Sequence, residues 1–228
     1  MIRNVIWDVD GTLFDTYPAI VGAFGMALRD LGSDAPPATI HELALVSLDH
    51  CVSVLAGDHG LSSSALEDAF SARYAERAAS DSPPFPGVVD VCRYVRSIGG
   101  SNVIVTHRRR ASTEALLAAY DMRDLFAGIV TAEEGHPRKP DPAMFELALV
   151  DHGLARAETM SIGDRALDVD AAQAAGLFSC LYGSRLDAAH ADLVVEGYDH
   201  LLRYLEEVNG GASVAGIASV TASRGDVR

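Results

Sequence analysis

A chain of 228 residues with 49% apolar content is long enough to bury a full core, as one large domain or two small ones. A formal net charge of −14 disfavours sequence-independent nucleic-acid binding, which needs a basic surface, but leaves room for a small phosphorylated ligand held by local cations. No run approaches the roughly 20 apolar residues of a membrane span, and the first apolar run starts almost at Met1, without space for a signal peptide. Cys51, Cys92 and Cys180 are scattered, odd in number and without metal-ligand spacing, so a reduced, cytoplasmic protein is expected.

In chain order, the first element is the run Val5-Ile6-Trp7, which leads into Asp8-Val9-Asp10-Gly11-Thr12. A continuous apolar run reads as a buried parallel strand, and in open α/β sheets ligands sit beyond the carboxyl ends of the strands. Asp8 and Asp10 therefore stand at a sheet's active edge. Gly11 is free to bend the backbone, which the two side chains need if they are to serve one ligand. Paired carboxylates there suit Mg²⁺, which takes oxygen ligands.

Residues 15–83 read as helical. Ile20, Phe24, Leu28 and Leu31 recur at helical spacing, and Gly32 to Pro37 breaks that helix. Further helical patterns cover about Ile40 to Val46 and about Asp49 to Ala56. Ser62 to Ser64 can cap a fourth, with Leu66, Phe70 and Tyr74 on one face. Asp81 to Gly87 reads as a stiff linker. The remainder alternates helix and strand: a helix from Val88, the strand Asn102–Thr106, a helix from about Ala111 and a strand near Gly128–Thr131. A helix from Pro142, the strand Thr159–Ile162 and a helix over Asp168–Ala175 follow, then strands at Phe178–Tyr182 and Leu193–Val195 and a last helix from about Tyr198 to Val208. The alternation predicts an α/β fold, a doubly wound parallel Rossmann-like sheet. A small all-helical domain is inserted over 15–83, the core takes 1–14 and 84–208, and 209–228 is a flexible tail.

Two later segments each put a polar group past a predicted strand, and a third lies between two structured segments. Thr106 ends one apolar run, and Gly163-Asp164 ends another, followed by Asp168 and Asp170. Lys139 is the only lysine among 18 basic residues, in Arg138-Lys139-Pro140. An ammonium kept against such an arginine bias suggests a need for a compact point charge. Carboxylates to hold Mg²⁺, with a hydroxyl and an ammonium to neutralise phosphate oxygens, are equipment for phosphoryl transfer.

With these four segments in this order, the chain resembles the haloacid dehalogenase-like (HAD) superfamily. The matching residues are Asp8-Val9-Asp10-Gly11-Thr12, then Thr106, then Lys139-Pro140, then Gly163-Asp164 with Asp168 and the stretch Asp170 to Gly176. The spacing resembles the branch with a small helical cap after the first motif, as in phosphoglycolate phosphatase-like enzymes. The resemblance implies Asp8 as the nucleophile, forming an aspartyl-phosphate, and Asp10 as acid and then base. Mg²⁺ would take the Asp8 carboxylate, the Asp10 backbone carbonyl and Asp164. Thr106 and Lys139 would bind the phosphoryl group, with backbone N–H groups at Asp10, Gly11 and His107. Thr12 would support the loop. Asp168 would hold a metal-bound water or orient Lys139, unless it is simply an acid at a helix N-terminus.

His107-Arg108-Arg109-Arg110 departs from the commoner branch pattern, where a small polar residue follows the hydroxyl. One of these side chains reaches the substrate's remote end, or the run is a solvated basic cluster, the reading preferred for Arg109 and Arg110. Arg73 and Arg77 share a helix face and pair with Glu67, Asp68 or Glu76, or else bind a second anionic group. The expected ligand is a small phosphorylated metabolite, without nucleic acid or membrane, and the oligomeric state is open. The acid at position 10 favours phosphate-ester hydrolysis over dehalogenation. A sugar-phosphate mutase on the same core is the alternative, and from other classes a phospho-accepting receiver or a non-catalytic binding protein.

Overall fold

A computed structural model of the protein describes residues 1–77, 79–183 and 190–210. In chain order it runs β1 (Asn4–Trp7), α1 (Tyr17–Asp30), α2 (Pro37–Val46), α3 (Leu48–His59), α4 (Ser63–Ala75), α5 (Val88–Ser97) and β2 (Asn102–Thr106). There follow α6 (Arg110–Ala119), β3 (Gly128–Thr131), α7 (Ala143–Asp151), β4 (Thr159–Gly163), α8 (Ala166–Ala174), β5 (Phe178–Tyr182), β6 (Leu193–Val195) and α9 (Tyr198–Gly210).

The six strands form one sheet in the order β3-β2-β1-β4-β5-β6, and every pairing is parallel. The chain winds one way from β1 through β2 to β3, then returns beside β1 and winds the other way through β4, β5 and β6. The reversal lies between β1 and β4, so the crevice beyond their carboxyl ends is the place for a ligand. The alternation along β1 shows why the strand must be apolar on both faces. Val5 and Trp7 pack in a cluster with Val91 and Val95 of α5, Leu116 and Leu117 of α6, and Leu201 and Leu205 of α9. Ile6 faces the other way, into Phe145 and Ala148 of α7 and Ala171 and Ala172 of α8. Asn102 is satisfied in this core: its side chain accepts from Trp7 Nε1 at 3.0 Å and donates to the Cys92 and Leu125 carbonyls.

Helices α1–α4 close over a core of their own. Ile20, Phe24 and Leu28 of α1 meet Ile40, Cys51, Leu55, Leu66 and Phe70, and the Phe24 and Phe70 rings stack with centroids 4.0 Å apart. The chain leaves and re-enters the sheet layer through two segments that pair. Asp15 N donates to the Pro83 carbonyl at 2.9 Å and Phe85 N to the Leu13 carbonyl at 3.1 Å.

Several expectations are adjusted. Helices α2 and α3 are longer than their apolar spacing indicates: α2 starts at Pro37, whose missing N–H costs nothing in a first turn, and α3 runs to His59, where Gly60 at φ 64 stops it. The last helix extends to Gly210, so Asn209 belongs to the folded layer; its side chain accepts from Ile2 N and donates to the Ile2 carbonyl at 2.9 and 2.8 Å. The rest of the expected tail, 211–228, lies outside the described residues. Arg77 falls beyond the end of α4 and so shares no helix face with Arg73, and Arg73 pairs with Asp30 and Glu76 instead of Glu67 or Asp68. Among the described residues, no helix is long and apolar enough to cross a membrane.

Candidate active site

The carboxyl ends of β1 and β4 carry Asp8 and Asp164, and the topology sets them side by side. The backbone turns sharply after Asp8. Phe14 N donates to the Val9 carbonyl, and Gly11 N donates to the Phe14 carbonyl, each at 3.0 Å. Gly11 sits at φ 73, and a Cβ there would lie 2.4 Å from Asp164 Oδ2 and 2.5 Å from a Tyr17 ring carbon. Both the left-handed backbone and the close approach require glycine. Thr12 is fully buried beneath the turn, and its carbonyl accepts from Tyr198 Oη at 2.7 Å. This ties the loop to α9.

Lys139 enters from the segment before α7. Its Nζ donates to Asp8 Oδ1 at 2.8 Å and to Asp168 Oδ1 at 2.6 Å, with all three side chains at most 2% exposed. Asp168 Oδ2 accepts from the Arg165 backbone N at 3.3 Å. The acid thus caps the first turn of α8 and aims Lys139, so the two readings of Asp168 hold together. The carboxylates of Asp8, Asp164 and Asp168 approach within 4.8 Å of one another, all buried. Three negative groups face the ammonium of Lys139 and the guanidinium of Arg165, whose Nε is 3.7 Å from Asp164 Oδ1 and 3.9 Å from Asp168 Oδ2. One negative charge is left over. Asp8 Oδ2 and Asp164 Oδ1 are buried without hydrogen-bond partners. Orphaned carboxylate oxygens are costly unless a cation or an electrophile meets them, and hard oxygen donors are what Mg²⁺ takes. The residues fit that ion.

The electrostatics follow from the burial. Desolvation pushes the Asp8 carboxyl up to about 6 against the pull of Lys139, and the Asp164 carboxyl up to about 7 against Arg165. Asp168 is also penalised by burial, but Lys139 and Arg165 outweigh that and hold it below its ordinary value.

Asp10 does not join the carboxylate cluster. Its side chain turns to Arg108, whose Nη2 and Nε donate to Oδ1 at 2.6 and 3.0 Å. Burial works to raise the Asp10 carboxyl, yet the guanidinium wins and keeps it below the usual carboxylate range. Arg108 also donates to Tyr74 Oη and Ser112 Oγ, each at 2.5 Å, linking the end of α4 to α6 through the site. Thr106 lies buried at the end of β2, and its Oγ1 accepts from Arg108 N at 3.1 Å. The His107 side chain turns away from the carboxylates: Nε2 accepts from Lys139 N at 2.9 Å, and burial together with Lys139 pushes this imidazole down to about 3. A neutral ring suits an acceptor, so His107 shapes the Lys139 segment.

Sequence reasoning missed three members of this constellation, Tyr17, Tyr74 and Arg165. Tyr17 Oη donates to Asp164 Oδ2 at 3.0 Å. The sequence sets Tyr74 on an apolar helix face and does not single out Tyr17, because nothing in helical spacing reveals a phenol aimed across a layer boundary. Arg165 follows Asp164 with nothing in its local pattern to single it out. Of the run His107–Arg110, whose reading the sequence leaves open, Arg108 turns inward to Asp10, while Arg109 and Arg110 lead to Glu133 and to the Ile129 carbonyl.

A family model for haloacid dehalogenase-like hydrolases matches residues 5–182. The chain belongs to that family. Among its curated relatives, a phosphoglycolate phosphatase of Thiobacillus denitrificans is 31% identical over 192 residues, covering 80% of this chain and 84% of the relative. A phosphoglycolate phosphatase of Pseudomonas putida is 28% identical over 220 residues, covering 88% and 78%. The fold matches the crystal structure of a predicted phosphoglycolate phosphatase from Haemophilus somnus with a TM-score of 0.80, at 19% identity, covering 90% of this chain and 98% of that one. This HAD-like hydrolase is a phosphatase, acting on phosphoric monoesters.

Proposed function

We propose that the protein is a Mg²⁺-dependent phosphatase of a small phosphorylated metabolite, working through an aspartyl-phosphate on Asp8. One observation carries the reading: Asp8 is buried with Oδ1 fixed by Lys139 and Oδ2 without a partner. A carboxylate held by one oxygen presents the other in a defined direction, as an in-line attack on phosphorus needs. The Asp8 oxygen forms a bond to phosphorus as the bond to the leaving oxygen breaks, and Asp10 gives that oxygen its proton. Water then cleaves the aspartyl-phosphate, with Asp10 taking the water's proton. Arg108 must shift away from Asp10 so that the carboxylate, ionised beside the guanidinium, takes up a proton from solvent before giving it to the leaving oxygen. Lys139 and Thr106 face the phosphoryl oxygens, with the backbone N–H groups of Asp10 and His107, since the Gly11 N–H is given to the Phe14 carbonyl. Mg²⁺, when bound by the carboxylates of Asp8 and Asp164 and the Asp10 carbonyl, supplies positive charge against those oxygens.

In this reading residues 15–83 are a cap over the core formed by 1–14 and 84–208, and the paired segments at Leu13–Asp15 and 83–85 are its hinge. Closure of such a layer excludes water during transfer. The relatives named phosphoglycolate phosphatase make a phosphorylated 2-hydroxy acid the first substrate to try. Three buried free thiols suit a reducing, cytoplasmic setting.

The test is phosphate release from a panel of phosphorylated metabolites with Mg²⁺ and with chelator, alongside acid-quenched trapping of protein-bound phosphate. Release that needs Mg²⁺, with label on Asp8, is the expected result. Chelator-insensitive release, or label on another residue, overturns it.

A further inference from the structure

Two cations face the buried carboxylates of Asp8, Asp164 and Asp168, and they are held in different ways. Lys139 Nζ gives hydrogen bonds of 2.8 Å to Asp8 and 2.6 Å to Asp168. Arg165 Nε stands 3.7 Å from Asp164 Oδ1 and 3.9 Å from Asp168 Oδ2, beyond hydrogen-bond reach. That Nε is buried without a hydrogen-bond partner, and so is Asp164 Oδ1 opposite it. A guanidinium commonly meets a carboxylate through a bidentate fork. Here a donor and an acceptor of opposite charge lie side by side, both unsatisfied, so charge alone holds the pair. Burial works against the charge on Arg165, and Asp168, Asp8 and Asp164 outweigh it. The backbone of this residue is anchored, because its N–H is given to Asp168 Oδ2 at 3.3 Å. The side chain is less enclosed: it is 13% exposed, against 1% for Lys139, which opens a path to solvent.

The charge balance forces a choice. With Lys139 and Arg165 both in place, the three carboxylates keep one negative charge. A divalent cation added to that set leaves one positive charge, with a guanidinium held against Asp164 Oδ1, one of the oxygens left open to the ion. With Arg165 gone, the ion and Lys139 together balance the three carboxylates. We infer that Arg165 is a place-holding counter-cation, which neutralises the carboxylates when no ion is bound, gives up its place to Mg²⁺, and thereby sets how tightly the site holds that ion. The inference rests on the Mg²⁺ reading given above and deepens it.

Calorimetric titration of Mg²⁺ into chelator-treated, dialysed protein without substrate tests it. Arg165→Met keeps the bulk and removes the charge, and it should lower the Kd for Mg²⁺ about tenfold. Arg165→Lys keeps a charge at nearly the same reach; since no fork is formed here, its Kd should stay within about threefold of wild type. In chelator the melting temperature of Arg165→Met should fall below wild type, and at saturating Mg²⁺ the two should coincide. A group that only braces the fold would lower both melting temperatures and weaken Mg²⁺ binding. In the wild-type protein the Arg165 Nε–H signal, identified by its loss in the lysine variant, should move to the range of solvated arginines in a heteronuclear NMR spectrum as Mg²⁺ is added. An unchanged or raised Kd in Arg165→Met overturns the inference, as does an Nε–H signal indifferent to Mg²⁺, and either result leaves the phosphatase reading standing. So does weaker inhibition of Arg165→Met by inorganic phosphate with Mg²⁺ binding unaltered, which would make the guanidinium a phosphate ligand instead. A wild-type protein that takes up no Mg²⁺ removes the metal reading as well.

Discussion

The two layers of this protein treat charge in opposite ways. At the sheet's edge Asp8, Lys139, Asp164 and Asp168 are at most 5% exposed, packed against one another and against Arg165. In helices α1–α4 the interior is apolar, and the ion pairs Arg73–Asp30 and Arg29–Asp34 lie on the surface, where solvent screens them. Yet this second layer is not inert, for it sends Tyr17 to Asp164 and Tyr74 to Arg108. The contrast teaches a division of labour. In the proposed mechanism Asp8 and Thr106 stand on strand ends and Lys139 on the segment before α7, while the helical layer contributes phenols that steady the carboxylate of Asp164 and the guanidinium of Arg108.

The comparison breaks first at Asp8. Asp8→Asn should lower kcat by more than about 10³-fold, because the nucleophile is lost and the remaining site only binds and polarises. Its thermal midpoint should not fall, since burying an amide avoids the desolvation that raises the Asp8 carboxyl. An active D8N enzyme would remove the covalent route. Lys139→Met should follow in size, with kcat strongly reduced and stability down by about 3–5 kcal/mol in a denaturant titration. It leaves buried carboxylates facing one another without their ammonium. Lys139→Arg should restore much of the stability but little of the activity, because the longer, planar fork misplaces the charge.

A third effect separates acid and metal. The Asp8 and Asp164 carboxyls are raised to about 6 and about 7 when no cation is bound. For a raised acid, stability is full below its unfolded value and is lost as the pH climbs through the folded one. With chelator present the melting temperature should therefore drop between about pH 5 and about pH 8. Mg²⁺ needs the ionised carboxylates, so the rise in melting temperature that it causes should be larger at the upper pH. An equal rise at both would show that these two carboxyls do not hold the ion. Tyr17→Phe should weaken Mg²⁺ activation about tenfold by freeing Asp164 Oδ2, with the fold intact by circular dichroism. The smallest effect belongs to Arg73→Ala, whose exposed ion pairs are far from the chemistry; its activity and melting temperature should match wild type within error.

Much of this was legible in the chain. The apolar runs ending in Asp8, Thr106 and Asp164 named three strands of the sheet and the residues at their tips, because a buried strand admits only apolar side chains and its polar continuation marks the edge. The lone Lys139 was legible as a candidate site charge, and the structure sets it between Asp8 and Asp168. The spacing of Ile20, Phe24 and Leu28 announced α1 and its buried face. Helix ends were less legible: α2 and α3 begin and stop on capping and glycine geometry that apolar spacing does not encode.

By itself, the sequence determined the parallel α/β class, the inserted helical segment and the acids, hydroxyl and ammonium of the site, since each is written in local periodicity or at a strand end. Only the tertiary structure decided that Asp10 pairs with Arg108, that His107 accepts from the Lys139 backbone, and that Tyr17 and Arg165 meet Asp164 while Tyr74 meets Arg108. Most of those choices depend on which side chains meet across 30 to 150 residues of chain, and a meeting of that kind leaves no periodic trace in either partner.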